Sequence, residues 1–119
     1  MFSQSGFASA LLFAPSTKDE LQSAVDLWCA DKKTALKKYG DINSWNVSKI
    51  TDMSELFKGK EEFNSDIGSW DVSNVTTMNG MFFWATLFNQ DIGSWDVSHV
   101  NDMSCMFEYC NIIEEYKPK

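Results

Sequence analysis

An α/β solenoid of three right-handed 25-residue coils behind a helical N-terminal cap is the fold predicted by three features of the sequence. Three consecutive segments align without a gap, their apolar residues recur at matched positions, and the residues before them follow a helical pattern instead. The chain therefore divides into an N-terminal segment and helical cap (1–40), three repeats (41–65, 66–90 and 91–115) and a short tail (116–119).

The repeats agree at 11 of 25 positions between the first and second and at 12 of 25 between the second and third. Trp45, Trp70 and Trp95 fall in one column, and Met53, Met78 and Met103 in another. The opening Ile67-x-x-Trp70-x-Val72 has the shape of the strand signature of leucine-rich repeats. It predicts a strand with Trp70 and Val72 inward and Asp71 outward. After Ser73 the apolar residues come in threes (Val75, Met78, Met81), the pattern of a short α- or 3₁₀-helix. Ser48, Ser73 and Ser98 stand where N-caps of those helices belong. No coil buries its own apolar face, so the coils stack, each buried aliphatic or aromatic side chain contributing about 1.5–3 kcal/mol. Asn64 and Asn89 are expected to form a further column, bonding backbone groups at a corner.

The cap follows from residues 17–40. Thr17-Lys-Asp-Glu20 is a capping box leading into Leu21, Ala24, Val25 and Trp28 at helical spacing. A second helix is predicted from about Lys32 to Tyr39, with Asp31 as N-cap, Gly40 as stop, and Ala35, Leu36 and Tyr39 inward. The apolar run Phe7, Ala8, Ala10, Leu11, Leu12, Phe13 is too short to span a membrane and has no preceding Lys or Arg, so it is expected to be ordered structure. At the other end the third coil drifts: Cys110, Ile113 and Glu114 replace Ala85, Phe88 and Asn89. Either the tail folds over it, with Ile112, Ile113 and Tyr116 as a lid, or an edge stays unpaired and open to another chain.

Composition narrows the function. Apolar residues make up 44% of the 119, too many for a disordered chain. Net charge is −7 and all ten basic residues are Lys, a poor endowment for neutralising phosphates or forking onto bases, so no nucleic-acid partner is expected. Catalytic constellations are missing. His99 has Ser98 and Asp96 nearby, but the same Ser and Asp recur at Ser73 and Asp71 without a His, which points to a structural role. Cys29, Cys105 and Cys110 form no metal-type pair, although an oxidising environment would permit a Cys105–Cys110 disulfide. Asp41, Asp66 and Asp91 open the coils and are expected to accept backbone N–H bonds in turns rather than to hold Ca²⁺. The sequons at Asn46 and Asn74 lie inside the repeat pattern and are expected to be unmodified. Scattered Thr51, Thr76, Thr77 and Thr86 make no ice-binding lattice. No catalytic residue, metal or cofactor is expected, and the chain is expected not to be an enzyme.

The stretches DIGSWDVSNVTTMNGMF and FNQDIGSWDVS resemble the BspA-like leucine-rich-repeat surface proteins. The nearest likeness is to their 25-residue variant of mycoplasma lipoproteins and of marine microbes and algae, a domain of unknown function. The resemblance runs from Asp41 to about Cys110, and TKDELQSAVDLWCADKKTALKKYGDINSWNVS resembles the lead-in of algal and marine members. It implies a surface or secreted interaction module, sometimes linked to adhesion, with no catalytic residue to carry over.

Two non-catalytic functions are therefore expected. One is a protein-interaction or adhesion-type module binding a protein or glycan through its strand face, at Ser44, Asn46, Ser69, Asp71, Asn74, Ser94, Asp96 and His99. The other is a small structural subunit docked into a larger assembly, or self-associating, through its open C-terminal edge. Phe83 and Trp84 are expected to contribute a docking patch.

Overall fold

The computed structural model describes residues 12–119, so Phe7, Ala8, Ala10 and Leu11 of the apolar run lie outside the described residues. Two α-helices follow, α1 (Lys18–Ala30) and α2 (Lys32–Tyr39). The capping box at α1 is complete: Thr17 Oγ1 accepts the Glu20 N–H at 3.2 Å, and Glu20 Oε1 accepts the Thr17 N–H at 3.2 Å. Its inward stripe, Leu21, Ala24, Val25 and Trp28, is buried. Asp31 caps α2 by accepting from the Thr34 N–H and hydroxyl, and Gly40, at φ 79°, ends it. Ala35 is buried and Tyr39 half-buried, but Leu36 points outward, contrary to expectation.

The α/β leucine-rich-repeat-like solenoid is not what the structure contains. Among the described residues there is no strand and no sheet, only single parallel bridges from Asp52 to Thr77 and from Thr77 to Asp102. Repeats two and three hold no α-helix; among the described residues 3₁₀ turns occur only at Ile42–Ser44 and Glu114–Tyr116. The cause is local. The Ile-x-x-Trp opening closes on itself as a turn, Trp45, Trp70 and Trp95 each donating N–H to the carbonyl of Ile42, Ile67 and Ile92. Val47–Ile50, Val72–Val75 and Val97–Val100 close in the same way. Short acidic and amide side chains capture the intervening N–H groups: Asp66 takes Gly68, Asp71 takes Ser73, and Asp91 takes Gly93. Backbone groups satisfied this way are withdrawn from a strand ladder. The serines expected as helix N-caps instead donate to Asn46, Asp71 and Asp96.

Helices fail after Ser73 for a related reason. The left-handed region is occupied at Glu55, Gly80 and Cys105, and again at Gly59, Trp84 and Tyr109, matched positions in the three segments. A helix cannot pass through such residues. The backbone makes a run of turns instead, and alternate N–H groups point sideways. Those of Met53, Glu55, Phe57 and Gly59 donate to Thr77, Asn79, Met81 and Phe83 carbonyls at 2.8–3.0 Å. Those of Met78, Gly80, Phe82 and Trp84 donate to Asp102, Ser104, Met106 and Glu108 at 2.8–2.9 Å. The three segments thus lie against one another as turn-built layers.

Aromatic side chains fill the core. Phe57, Phe82 and Phe107 stack in a column with centroids 5.3 and 5.7 Å apart, flanked by Phe63 and Phe88. Trp45, Trp70 and Trp95 are all buried, and the Trp70 and Trp95 indoles donate to the carbonyls of Ile42 and Ile67. Asn64 Oδ1 accepts the Asn89 N–H, and Asn89 Oδ1 the Ile113 N–H, making the expected amide column at the corner.

Candidate functional site

All eight polar residues expected on a strand face are exposed, but in turns rather than strands. Most of their polar atoms are already engaged. Ser44 donates to the Asp41 carbonyl, and Asn46, Asp71 and Asp96 accept from Ser48, Ser73 and Ser98. Ser69 donates to the Asn43 carbonyl, Asn74 to that of Ser48, and His99 Nδ1 lies 3.0 Å from that of Ser73. Ser69, Asn74 and His99 thus tie each layer to the one before it, the bonds of Ser44, Asn46, Asp71 and Asp96 are local, and Ser94 carries no side-chain hydrogen bond among the described residues. Hydrogen bonds from Ser73 hold the Asp71 carboxyl below its ordinary range against repulsion by Asp96, and those from Ser98 lower Asp96. The arrangement is a scaffold that engages one oxygen of each carboxylate, leaving Oδ2 of Asp71 and of Asp96 without a partner among the described residues.

The thiols are free and held protonated. Cys29 is exposed as a residue, yet desolvation of its sulfur, partly offset by Lys60, pushes it up to about 11. A hydrogen bond to Glu108 and that residue's charge raise Cys105, and desolvation raises Cys110. A thiol held protonated at neutral pH is a weak nucleophile. Among the described residues no group of His, Cys, Asp and Glu is placed to hold a metal ion. No described helix is long and apolar enough to cross a membrane.

The two ends of the stacked layers differ. At the first layer the helical cap supplies what a preceding layer would: Gln22 Nε2 donates to the Leu56 carbonyl at 2.9 Å, and the Trp45 indole donates to the Gly40 carbonyl. Phe13 and Trp28 pack edge-on against Trp45, and Lys60 pairs with Asp26 of α1 at 2.9 Å. At the third layer Met103 is 37% exposed, where Met53 and Met78 are fully buried. Val97, Val100, Phe107 and Cys110 are only half-buried, unlike Val72, Val75, Phe82 and Ala85. The backbone N–H groups of Met103, Cys105, Phe107 and Tyr109 take no partner among the described residues. Tyr116 covers one corner, its carbonyl accepting the Ile92 N–H at 3.0 Å, and Lys117 Nζ sits 5.3 Å from the Phe107 ring centroid. Ile113, expected as part of a lid, is 41% exposed.

A family model described as "Mycoplasma protein of unknown function, DUF285" matches residues 26–116, which include the C-terminal end of α1, all of α2 and all three layers. The chain belongs to this family. No curated protein and no solved structure matches the DUF285 chain.

Beside the open end of this DUF285 chain lies an aromatic patch. Trp84 and Tyr109 stack with centroids 5.0 Å apart and are 50% and 60% exposed. Phe83 meets both rings edge-on and Lys58 lies over its face. Sequence reasoning found Phe83 and Trp84 but missed Tyr109 and the outward N–H row. The signal was present: Gly59 aligns with Trp84 and Tyr109, and Gly80 with Glu55 and Cys105. At these two positions the glycine of one copy marks a left-handed backbone shared by all three, whereas Gly68 and Gly93 have no positive φ.

Proposed function

We propose that the chain is a non-catalytic interaction module that docks onto a partner protein through the outer face of its third layer. The observation that carries this reading is the contrast between the outer layers: a helical cap packs on the first, whereas the third leaves Met103 exposed, Phe107 half-buried and four backbone donors without a partner among the described residues. Exposed apolar surface beside unpaired backbone groups is what an edge offers another chain. A benzophenone amino acid placed at position 103 in the full chain is expected to crosslink a discrete partner in the producing cell, and one placed at exposed Lys49 is not. Equal labelling from both positions, or none from 103, overturns the reading.

A second reading rests on the Trp84–Tyr109 stack. Flat exposed aromatic pairs suit the apolar faces of sugar rings, and the resemblance of the repeat sequences to BspA-like surface proteins supports an adhesion-type role with a glycan ligand. Glycan-array binding that disappears in Trp84→Ala, with folding unchanged, is the expected result. Binding indifferent to Trp84→Ala removes the patch from consideration.

A further inference from the structure

We infer that the groove between the C-terminal end of α1 and residues 59–65 is a binding site for an extended, basic peptide segment, which it holds by the main chain; the inference is independent of the third-layer face. The repeats show which groups this groove leaves unused. At the same corner of the second layer the Leu87 N–H donates to the Glu61 carbonyl at 3.2 Å and the Asn89 N–H to Asn64 Oδ1 at 2.8 Å. The first layer turns in the same way. Its Phe63 N–H donates to the Lys60 carbonyl as the Phe88 N–H donates to that of Ala85, both at 3.1 Å. The Glu62 and Asn64 N–H groups therefore point out of the first layer as those of Leu87 and Asn89 point out of the second. What stands before them is no layer but the end of α1, and neither has a partner among the described residues.

The cap closes the first layer only in part. Gln22 serves Leu56, Asp26 holds Lys60 at 2.9 Å, and the Trp28 indole donates to Ser65 Oγ at 3.1 Å. Beside these contacts a groove of about 550 Å³ lies between Cys29 and Ala30 on α1 and Glu61, Glu62 and Asn64 on the layer. That is the size of a ligand cleft. A second depression of about 470 Å³ shares Trp28, Lys32, Asn64 and Ser65 with it and reaches Leu36, Asp41 and Asp66. Leu36, the α2 residue that points outward against expectation, is 41% exposed there.

The lining selects the ligand. α1 ends here with no basic residue in its last turn, and the Cys29 and Ala30 carbonyls take no backbone N–H among the described residues. An anion meets the negative end of the helix dipole together with Glu61, Glu62, Asp41 and Asp66, against Lys32 alone, because Lys60 is paired with Asp26. A sugar finds no platform, since Trp28 is buried and Lys32 Nζ already lies 5.1 Å from its ring centroid. A peptide main chain suits both walls. Its carbonyls accept from Glu62 and Asn64, its N–H groups reach the unused carbonyls of α1, and such main-chain bonds supply affinity without demanding one sequence. Basic side chains answer the carboxylates, and an apolar one rests on Leu36.

The test titrates the isotopically labelled full chain with the blocked peptide acetyl-Ala-Lys-Leu-Lys-Ala-amide. The Glu62 and Asn64 amide resonances should shift to saturation, and their exchange should slow by about tenfold or more, while Met103 and Phe107 stay as they were. Reversing two exposed charges, Glu61→Lys with Glu62→Lys, should raise the Kd by about tenfold or more with the other amide resonances unmoved. Leu36→Ser is a second variant, on the other helix, and should also weaken binding. Sodium acetate serves as the anion: shifts at both amides as large as the peptide's make the groove an anion site and overturn the inference. It is overturned likewise if the peptide moves neither amide at millimolar concentration, or binds both variants as tightly as the parent chain. Glu62 and Asn64 amides already protected in the free chain, with Overhauser contacts to residues 1–11, show the groove to be filled by the chain itself and equally overturn it. The third-layer reading is decided separately, by crosslinking from position 103.

Discussion

Gln22 Nε2 donates to the Leu56 carbonyl at 2.9 Å, the place taken one layer on by the Phe57 N–H at Met81 and two layers on by the Phe82 N–H at Met106. A side-chain amide on α1 thus stands in for a missing layer. Gln22→Ala deletes the donor and leaves a part-buried carbonyl unpaired, at a cost of about 1–3 kcal/mol for such a group and toward the lower end here. Urea unfolding should show the midpoint falling with the slope unchanged. An unchanged midpoint means that water serves the carbonyl equally well.

The Phe column should be unequal along its length. Phe82 is fully buried between Phe57, Phe88 and Phe107, so Phe82→Ala is expected to cost about 3–5 kcal/mol. Phe107 is half-buried with a ring on one side only, and Phe107→Ala should cost less than half as much. Equal losses, measured by chemical unfolding, mean that the third layer is as closed as the second.

Cys105 holds a left-handed backbone, φ 57°, where the second layer has Gly80. Cys105→Gly removes a steric cost of roughly 1–2 kcal/mol, part of which is returned as unfolded-chain entropy. A net gain of about 1 kcal/mol is expected, from an exposed residue. The reverse change, Gly80→Ala, should lose about as much. Its Cβ fits, with Glu55 Cγ 3.4 Å away as nearest neighbour, so the loss reports backbone strain rather than a clash. Thermal unfolding of the pair decides it.

Acid should loosen the turns. Asp71, Asp96 and Asp102 have carboxyls lowered by Ser73, Ser98 and Ser104; at Asp52, Ser54's bonds outweigh desolvation. A folded pKa below the unfolded value of about 3.9 contributes stability that is present above it and is lost as pH falls through the folded pKa. Asn46 makes the Asp71 bonds without titrating, accepting from the Ser48 N–H at 3.0 Å and hydroxyl at 2.6 Å. Asp71→Asn should therefore change stability at neutral pH by no more than about 0.5 kcal/mol and flatten the acid limb. A variant with an unchanged acid limb shows that Asp71 is not among the groups responsible.

The cap was legible in the sequence because its signals are local: Thr17 and Glu20 bond across one turn, and Asp31 and Gly40 bound α2. The three segments and the buried Trp residues were legible because identical positions recur. Their backbone was not. Ile67-x-x-Trp70-x-Val72 carries strand-like apolar residues, but whether Trp70 extends or turns back to the Ile67 carbonyl depends on who takes the Gly68 and Ser73 N–H groups. Asp66 and Asp71 take them, and a hydropathy pattern is blind to that competition. Nor does polarity reveal the local bonds of the expected binding residues: Asn74 and His99 are exposed, yet bond the Ser48 and Ser73 carbonyls of the layer before. The open end shows in the drift at Cys110 and Ile113; its donor row depends on left-handed turns at Cys105 and Tyr109, residues that rarely announce them.

Residue-resolved amide exchange on the isolated full chain tests the open end most directly. Met103, Cys105, Phe107 and Tyr109 should exchange at nearly unprotected rates, while Met78, Gly80, Phe82 and Trp84, one layer earlier, should be slowed by orders of magnitude. Equal protection in the two rows means that the third layer is already covered, which contradicts the docking face and everything built on it.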